Sequence, residues 1–423
     1  MTAIDSRDQV EEGSRGLSLQ PDPEGAGFDA ARLERLTEHF EHRYVTTGKI
    51  PGCQMAVIRG GRLAYWRSLG LMDRERSRPV RDDTIWRIYS MTKPIASLAL
   101  MQLYERGAFQ LTDPVARYIG EWSALKVGEL QADGSLRLVE PETPMTVLDA
   151  LTHMTGLAGS LSPGHPIDDR FATEVHAARH GLTLEGVCTL LAEYPLKFHP
   201  GTHWNYGLST DVCARLVEIL SGERFDHYLR GNVFEPLGMF DTDFSVPAGA
   251  ADRFAACYRY AKGEPPQLMD DPERSTYRRQ RSYLSGAGGL VSTTADYLRF
   301  CQMLAGRGEL DGRRLVGHKT LELMTCNHLP GGRDLAQLAV GGFGEAGFSG
   351  AGFGLGFAIG QGPAATKAAG SVGEYYWGGA ASTAFWIDPA EDLAVVFMTQ
   401  LLPSFSYPIR AQLRALVYQA LVD

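Results

Sequence analysis

The sequence predicts an α/β protein: an antiparallel sheet flanked by helices, joined to a mostly helical domain. Three observations predict it. Hairpin patterns sit near both ends of the 423 residues. Amphipathic helical patterns flank them at both ends of the chain. Between the hairpins runs a long stretch of helical signals broken by polar loops. The simplest assembly is one sheet built from the two ends, with a helical domain inserted between them.

Residues 1–27 read as a flexible lead. Asp29 can cap a helix running to about Thr47, with Leu33, Leu36 and Phe40 on one face. In QMAVIRGGRLAYWRSLG two apolar runs flank Gly60-Gly61, the signal of a β-hairpin. Ser90 to Glu105 is helical in pattern, and Pro94 is tolerable because it falls within the first turn. Mostly helical signals follow, including STDVCARLVEILSG, an amphipathic helix closed by Gly222. Late in the chain FGLGFAIG reads as one strand, and TAFWIDPAEDLAVVFMTQ as a second hairpin turned at Asp388-Pro389. Ile409 to Leu421 is a last amphipathic helix. The expected organisation is an α/β domain from 28–110 and 285–423, a helical domain over 111–284, and a site in the crevice between them.

Composition narrows the function. Apolar residues make up 44% and charged residues 22%, as in a soluble globular protein. A net charge of -9 argues against nucleic acid or an anionic membrane as partner. The six cysteines are scattered without a C-x-x-C pair, which fits free thiols in a reducing compartment. The polar, acidic N-terminus shows no signal peptide and no apolar run is long enough to span a bilayer, so a cytoplasmic location is expected. His39/His42 and His176/His180 have metal-like spacings, but no H-E-x-x-H occurs; neither a metal nor a cofactor is expected. The glycine run at 341–356 lacks G-K-[ST], so it reads as a mobile loop beside the pocket and not a phosphate loop.

One short stretch carries the chemistry. Only seven of the 41 basic residues are lysines, and Lys93 stands three residues after Ser90 in IYSMTKP. Positions three apart share a helix face. No Asp or Glu lies between Asp83 and Glu105, so burial without a local acid would disfavour the charged amine. Such an amine can take or relay the proton of a serine at a helix start, the S-x-x-K logic of serine acyl enzymes. A second copy, Ser123-Ala-Leu-Lys126, lies in a polar segment beside Glu121 and Glu129 and reads as a decoy. Tyr206 in HWNYGLSTD is a candidate second proton-transfer group. Gly378-Gly379-Ala380 in EYYWGGAASTAFW places a bare strand end where a substrate could approach. His153 in LTHMTGL reads as a hydrogen-bonding support beneath the site. The G-x-S-x-G elbow of α/β-hydrolases is absent.

The order Ser90-Met91-Thr92-Lys93, then Tyr206-Gly207-Leu208, then Trp377-Gly378-Gly379 resembles the serine β-lactamase and penicillin-binding fold. In particular it resembles the family VIII carboxylesterases, relatives of class C β-lactamases. LDALTHMTGL, EPLGMFDTDF and LSGAGGLVSTTADYLRF are typical of the same group, so the resemblance runs from about 30 to 420. It implies a β-lactamase-like fold and a serine hydrolase acting on small-molecule esters. It implies Ser90 as nucleophile, Lys93 and Tyr206 as a shared general base, and the N–H groups of Ser90 and Ala380 as the oxyanion hole. Trp377, Gly378, Gly379 and Ala380 are the implied substrate-binding residues. Two departures matter: Leu208 replaces the asparagine that would bind a substrate amide, and Trp377 replaces the lysine that would meet a β-lactam carboxylate. Both favour short-chain esters over charged amides. The rivals are a β-lactamase or DD-peptidase, an acyltransferase using the same acyl-enzyme, and a silent binding protein on this fold.

Overall fold

A computed structural model describes residues 20–159, 165–340 and 349–422. Its first helix, α1 (Ala30–Phe40), is capped by Asp29, whose carboxylate accepts the Arg32 N–H, and it buries Leu33, Leu36 and Phe40. A hairpin follows. β1 (Gly52–Arg59) and β2 (Arg62–Asp73) are joined through Gly60 and Gly61, both at positive φ as a tight primed turn requires. β3 (Arg78–Pro79) pairs with β2.

The next element is α2 (Thr92–Glu105), buried on every side from Thr92 to Leu103. It is the central helix of the molecule, packed between the sheet and α3 (Ser209–Ser221). Truncating one of its leucines, Leu98 for example, would cost about 2–5 kcal/mol. After α3 come α4 (Thr294–Ala305) and the strands β4 (Ala351–Phe353), β5 (Ala358–Gly360), β6 (Tyr375–Gly378), β7 (Ala384–Asp388) and β8 (Leu393–Thr399). The chain closes with α5 (Ile409–Tyr418).

These strands form one eight-stranded antiparallel sheet in the order β4-β5-β6-β7-β8-β1-β2-β3. The two ends of the sequence meet where β1 pairs with β8, Met55 opposite Phe397. Alternate residues face opposite layers. Met55, Val57, Trp386, Val395 and Phe397 pack with α1 and α5. Ala56, Ile58, Phe385, Ile387, Val396 and Met398 pack with α2 and α4. The site therefore lies on the α2 side, with α5 on the far side of the same sheet.

Three details differ from the sequence expectation. FGLGFAIG is a tight hairpin and not one strand: Gly356 turns at φ 97°, where a Cβ would meet the Ser97 hydroxyl of α2 at 2.5 Å. The segment 111–284 carries two hairpins besides its helices, Val127–Leu130 with Leu136–Val139 and Cys257–Ala261 with Glu264–Asp270. Each turns at a glycine of positive φ, Gly134 and Gly263, preceded by a polar residue. Of the flexible lead, residues 1–19 lie outside the described residues, but Glu24–Ala26 form a helical turn, Ala26 is buried, and the Asp22 N–H donates to Leu63 O at 2.8 Å. No helix among the described residues is long and apolar enough to cross a membrane. Among them also, no group of three or more His, Cys, Asp or Glu side chains is placed to hold a metal ion.

Candidate active site

The strand Ile85–Arg87 pairs with Val291–Thr293 and delivers the chain to the start of α2. The corner between them is strained. Tyr89 sits at φ 43°, a left-handed conformation that a bulky residue adopts only when its surroundings impose it. They do so on both sides. The Ile88 N–H donates to Leu290 O at 3.2 Å, the Thr92 hydroxyl accepts the Leu290 N–H at 3.2 Å, and the Tyr297 hydroxyl donates to Met91 O at 3.0 Å. Ser90 is held in this corner, 7% exposed.

Lys93 lies one turn on and is 3% exposed. Its ammonium donates to Ser90 Oγ at 3.3 Å and to Ala287 O at 2.7 Å, and stands 4.2 Å from the centroid of the Tyr206 ring. The structure thus brings together the three residues singled out as catalytic. A cation buried over an aromatic face is stabilised by the ring quadrupole, and its hydrogen bonds are strong because little water competes.

Tyr206 is positioned through its backbone. Gly159 and Gly207 let the two loops touch: a Cβ on Gly207 would meet Ala158 O at 2.8 Å, and one on Gly159 would collide with the Tyr206 carbonyl. The neighbouring Asn205 side chain donates to Leu157 O at 2.7 Å. A buried ion pair, Lys197 to Asp168 at 2.6 Å, anchors that loop, since Asp168 also accepts the Gly159 N–H at 3.0 Å. Around the Tyr206 ring stand His153 at 5.0 Å, Trp377 at 5.7 Å and Trp204 at 5.8 Å.

His153 lies beneath the site. It is fully buried at φ 59°, its Nε2 is 3.4 Å from the Thr210 hydroxyl, and burial with the nearby Lys93 charge holds its pKa well below the usual range. Trp377 is 2% exposed, its indole packed on Tyr206 and Phe353, so it backs the tyrosine more than it faces open space. Gly378 and Gly379 are buried and Ala380 is half-buried. A Cβ on Gly379 would meet Ile88 O at 2.5 Å; glycine is what lets the end of β6 lie against the Ser90 corner. Leu208 is buried at the start of α3.

The lysine's surroundings are not acid-free. Asp211, five residues after Tyr206 on α3, is buried and close enough for the Lys93 charge to act on its carboxyl. Burial raises that carboxyl above the usual range, opposed by a hydrogen bond from Ser285 and by the charges of Arg179 and Lys93. Its Oδ1 accepts from the Ser285 hydroxyl at 2.7 Å and from the Ala287 N–H at 3.3 Å. It thereby fixes the loop whose carbonyl receives Lys93. A local scan around Lys93 could not find an acid 118 positions away in the sequence. The available signal was a charged residue among the buried positions of an amphipathic helix.

The second S-x-x-K pair is elsewhere. Ser123 is exposed and donates to Gly120 O at 2.8 Å, while Lys126 pairs with Glu140. Of the two metal-like histidine pairs, the His39 ring hydrogen-bonds Gln412 at 2.9 Å and His180 lies edge-on to Tyr283. In the glycine run, residues 341–348 lie outside the described residues.

A family profile described as Beta-lactamase matches residues 35–419. Esterase EstB of Burkholderia gladioli is 30% identical over 415 residues, covering 94% of this chain and 98% of that protein. The acyltransferase mokF of Monascus pilosus is 32% identical over 72% of this chain and 74% of its own. Among solved structures, EstCE1, a hydrolase with promiscuous acyltransferase activity, matches with a TM-score of 0.75 at 25% identity, over 92% of this chain and 99% of that one.

Proposed function

The chain belongs to the Beta-lactamase family, and from that premise we propose that it is a serine carboxylesterase that cleaves short-chain esters through an acyl-enzyme on Ser90. The observation that carries this reading is the buried Lys93 ammonium, held 3.3 Å from Ser90 Oγ and 4.2 Å from the Tyr206 ring centroid. Lys93 and Tyr206 act as one base. With the lysine charged, the Tyr206 oxygen, as a phenolate held beside the ammonium, takes the Ser90 proton as Oγ attacks the ester carbonyl, and returns it to the leaving alcohol. The Ser90 and Ala380 N–H groups receive the developing oxyanion. Water, activated by the same pair, then hydrolyses the acyl group.

Substrate choice follows from what the pocket lacks. A desolvated charge-assisted hydrogen bond is worth roughly 1.5–3 kcal/mol, and Trp377 offers no cation to a β-lactam carboxylate. Leu208 offers no amide contact. A neutral acetate to hexanoate ester needs neither. The test compares kcat/KM for a butyrate ester and a chromogenic cephalosporin in wild type and in Trp377→Lys. The ester should be preferred by wild type, and the gap should narrow in the variant. A wild-type preference for the cephalosporin would move the protein to the β-lactamase reading.

A second reading, transfer of the acyl group to an alcohol other than water, is supported by the mokF relative. Both share the acyl-enzyme and differ only in the acceptor. The partition of a butyryl group between water and an added alcohol distinguishes them. Ester product exceeding acid at low alcohol concentration would favour transfer.

A further inference from the structure

The Gly379 carbonyl accepts two hydrogen bonds. One comes from the Ser382 N–H at 3.0 Å and closes the turn after β6. The other comes from Nη2 of Arg410 at 3.1 Å, which also donates to Thr383 O at 2.8 Å. Arg410 stands on α5, across the sheet from Ser90, and Phe405 lies 4.9 Å over its guanidinium. Gly378 has to be glycine for the guanidinium to sit there, because a Cβ would collide with Nη2.

The Gly379 carbonyl and the Ala380 N–H are two ends of one planar peptide group, pointing in opposite directions. A cation bound to the carbonyl end withdraws electrons from the whole group and makes its N–H a stronger donor. It also fixes the plane, so the N–H points away from α5. Among the described residues no acceptor takes that N–H. We propose that Arg410 is a positioning residue of the oxyanion hole, orienting and polarising the Gly379–Ala380 peptide from the far side of the sheet. This rests on the reading of Ser90 and Ala380 given above.

The test is infrared difference spectroscopy of the acyl-enzyme, formed by rapid mixing with an activated ester of a ¹³C-carbonyl acyl group. In wild type the acyl carbonyl should absorb at lower wavenumber than in the same acyl-enzyme unfolded, because the hole pulls on its oxygen. In Arg410→Met the band should move back to higher wavenumber, with kcat down about tenfold and KM unchanged. Arg410→Gln keeps a donor without the charge and should lie between; it decides the matter if the methionine variant does not fold. A band that stays at the wild-type position in the folded variant would make Arg410 a structural residue only and overturn this inference alone. A wild-type band that matches the unfolded one, or no acyl group on Ser90, would overturn the oxyanion-hole reading and this inference together.

Discussion

The protein contains the same four-residue spacing twice, and the two copies have opposite fates. At Ser90 and Lys93 the serine occupies a strained corner at the start of the central helix, and the lysine is 3% exposed. Its ammonium has a hydroxyl, a carbonyl and an aromatic face for company. At Ser123 and Lys126 the serine lies on an exposed short helix, and the lysine side chain is 40% exposed and neutralised by Glu140. The spacing is identical; burial is what differs. Burial sets Lys93 against the Ser90 hydroxyl, the Ala287 carbonyl and the Tyr206 ring, whereas Lys126 stays at the surface paired with Glu140. An S-x-x-K pair is chemistry only where the fold buries the lysine against the serine hydroxyl.

That contrast can be broken in several ways. The largest effect belongs to the serines. Ser90→Ala should lower ester turnover by about 10⁴–10⁶-fold, while Ser123→Ala leaves it unchanged; steady-state hydrolysis of a butyrate ester decides. Next come the partners of Ser90. Lys93→Met and Tyr206→Phe should each cost on the order of 10²–10⁴ in kcat. The double variant should be little worse than the worse single, because groups acting as a unit are non-additive. Losses that multiply would mean that the two act independently.

A third effect concerns stability. Lys197→Met leaves Asp168 buried without its cation and should cost about 3–5 kcal/mol in urea unfolding. Lys126→Met removes an exposed pair and should cost less than about 1 kcal/mol. The smallest effect is a pH slope. Because burial raises the Asp211 carboxyl, the folded state keeps that proton at pH values where the unfolded chain has lost it. Asp211 therefore adds stability that is greatest below the ordinary carboxylate range and is lost as pH rises through its folded pKa. Relative to wild type, the Tm of Asp211→Asn should improve as pH rises across that window.

Much of this was legible in the sequence, and the parts that were not share one physical cause. The Asp29 cap, the Gly60-Gly61 turn and the closing Gly222 are local signals, and the structure has each of them. So is the serine–lysine spacing. What local reading missed acts across the fold. Asp211 holds the Ser285–Ala287 loop whose carbonyl receives Lys93, and Arg410 reaches Gly379 from the C-terminal helix. The hairpin at Gly354–Gly356 was read as a strand because its glycines answer to crowding by α2, which the local pattern does not contain. Tyr206 could be named from its motif, but its setting against His153, Trp204 and Trp377 depends on loops that meet only in three dimensions.

The central claim is that burial, not spacing, selects one serine of the two. It is tested most directly by treating the protein with a fluorophosphonate probe and mapping the label by peptide mass spectrometry. The account predicts a single adduct on Ser90, lost in Ser90→Ala and strongly slowed in Lys93→Met. A label on Ser123, or labelling that survives Ser90→Ala, would contradict it.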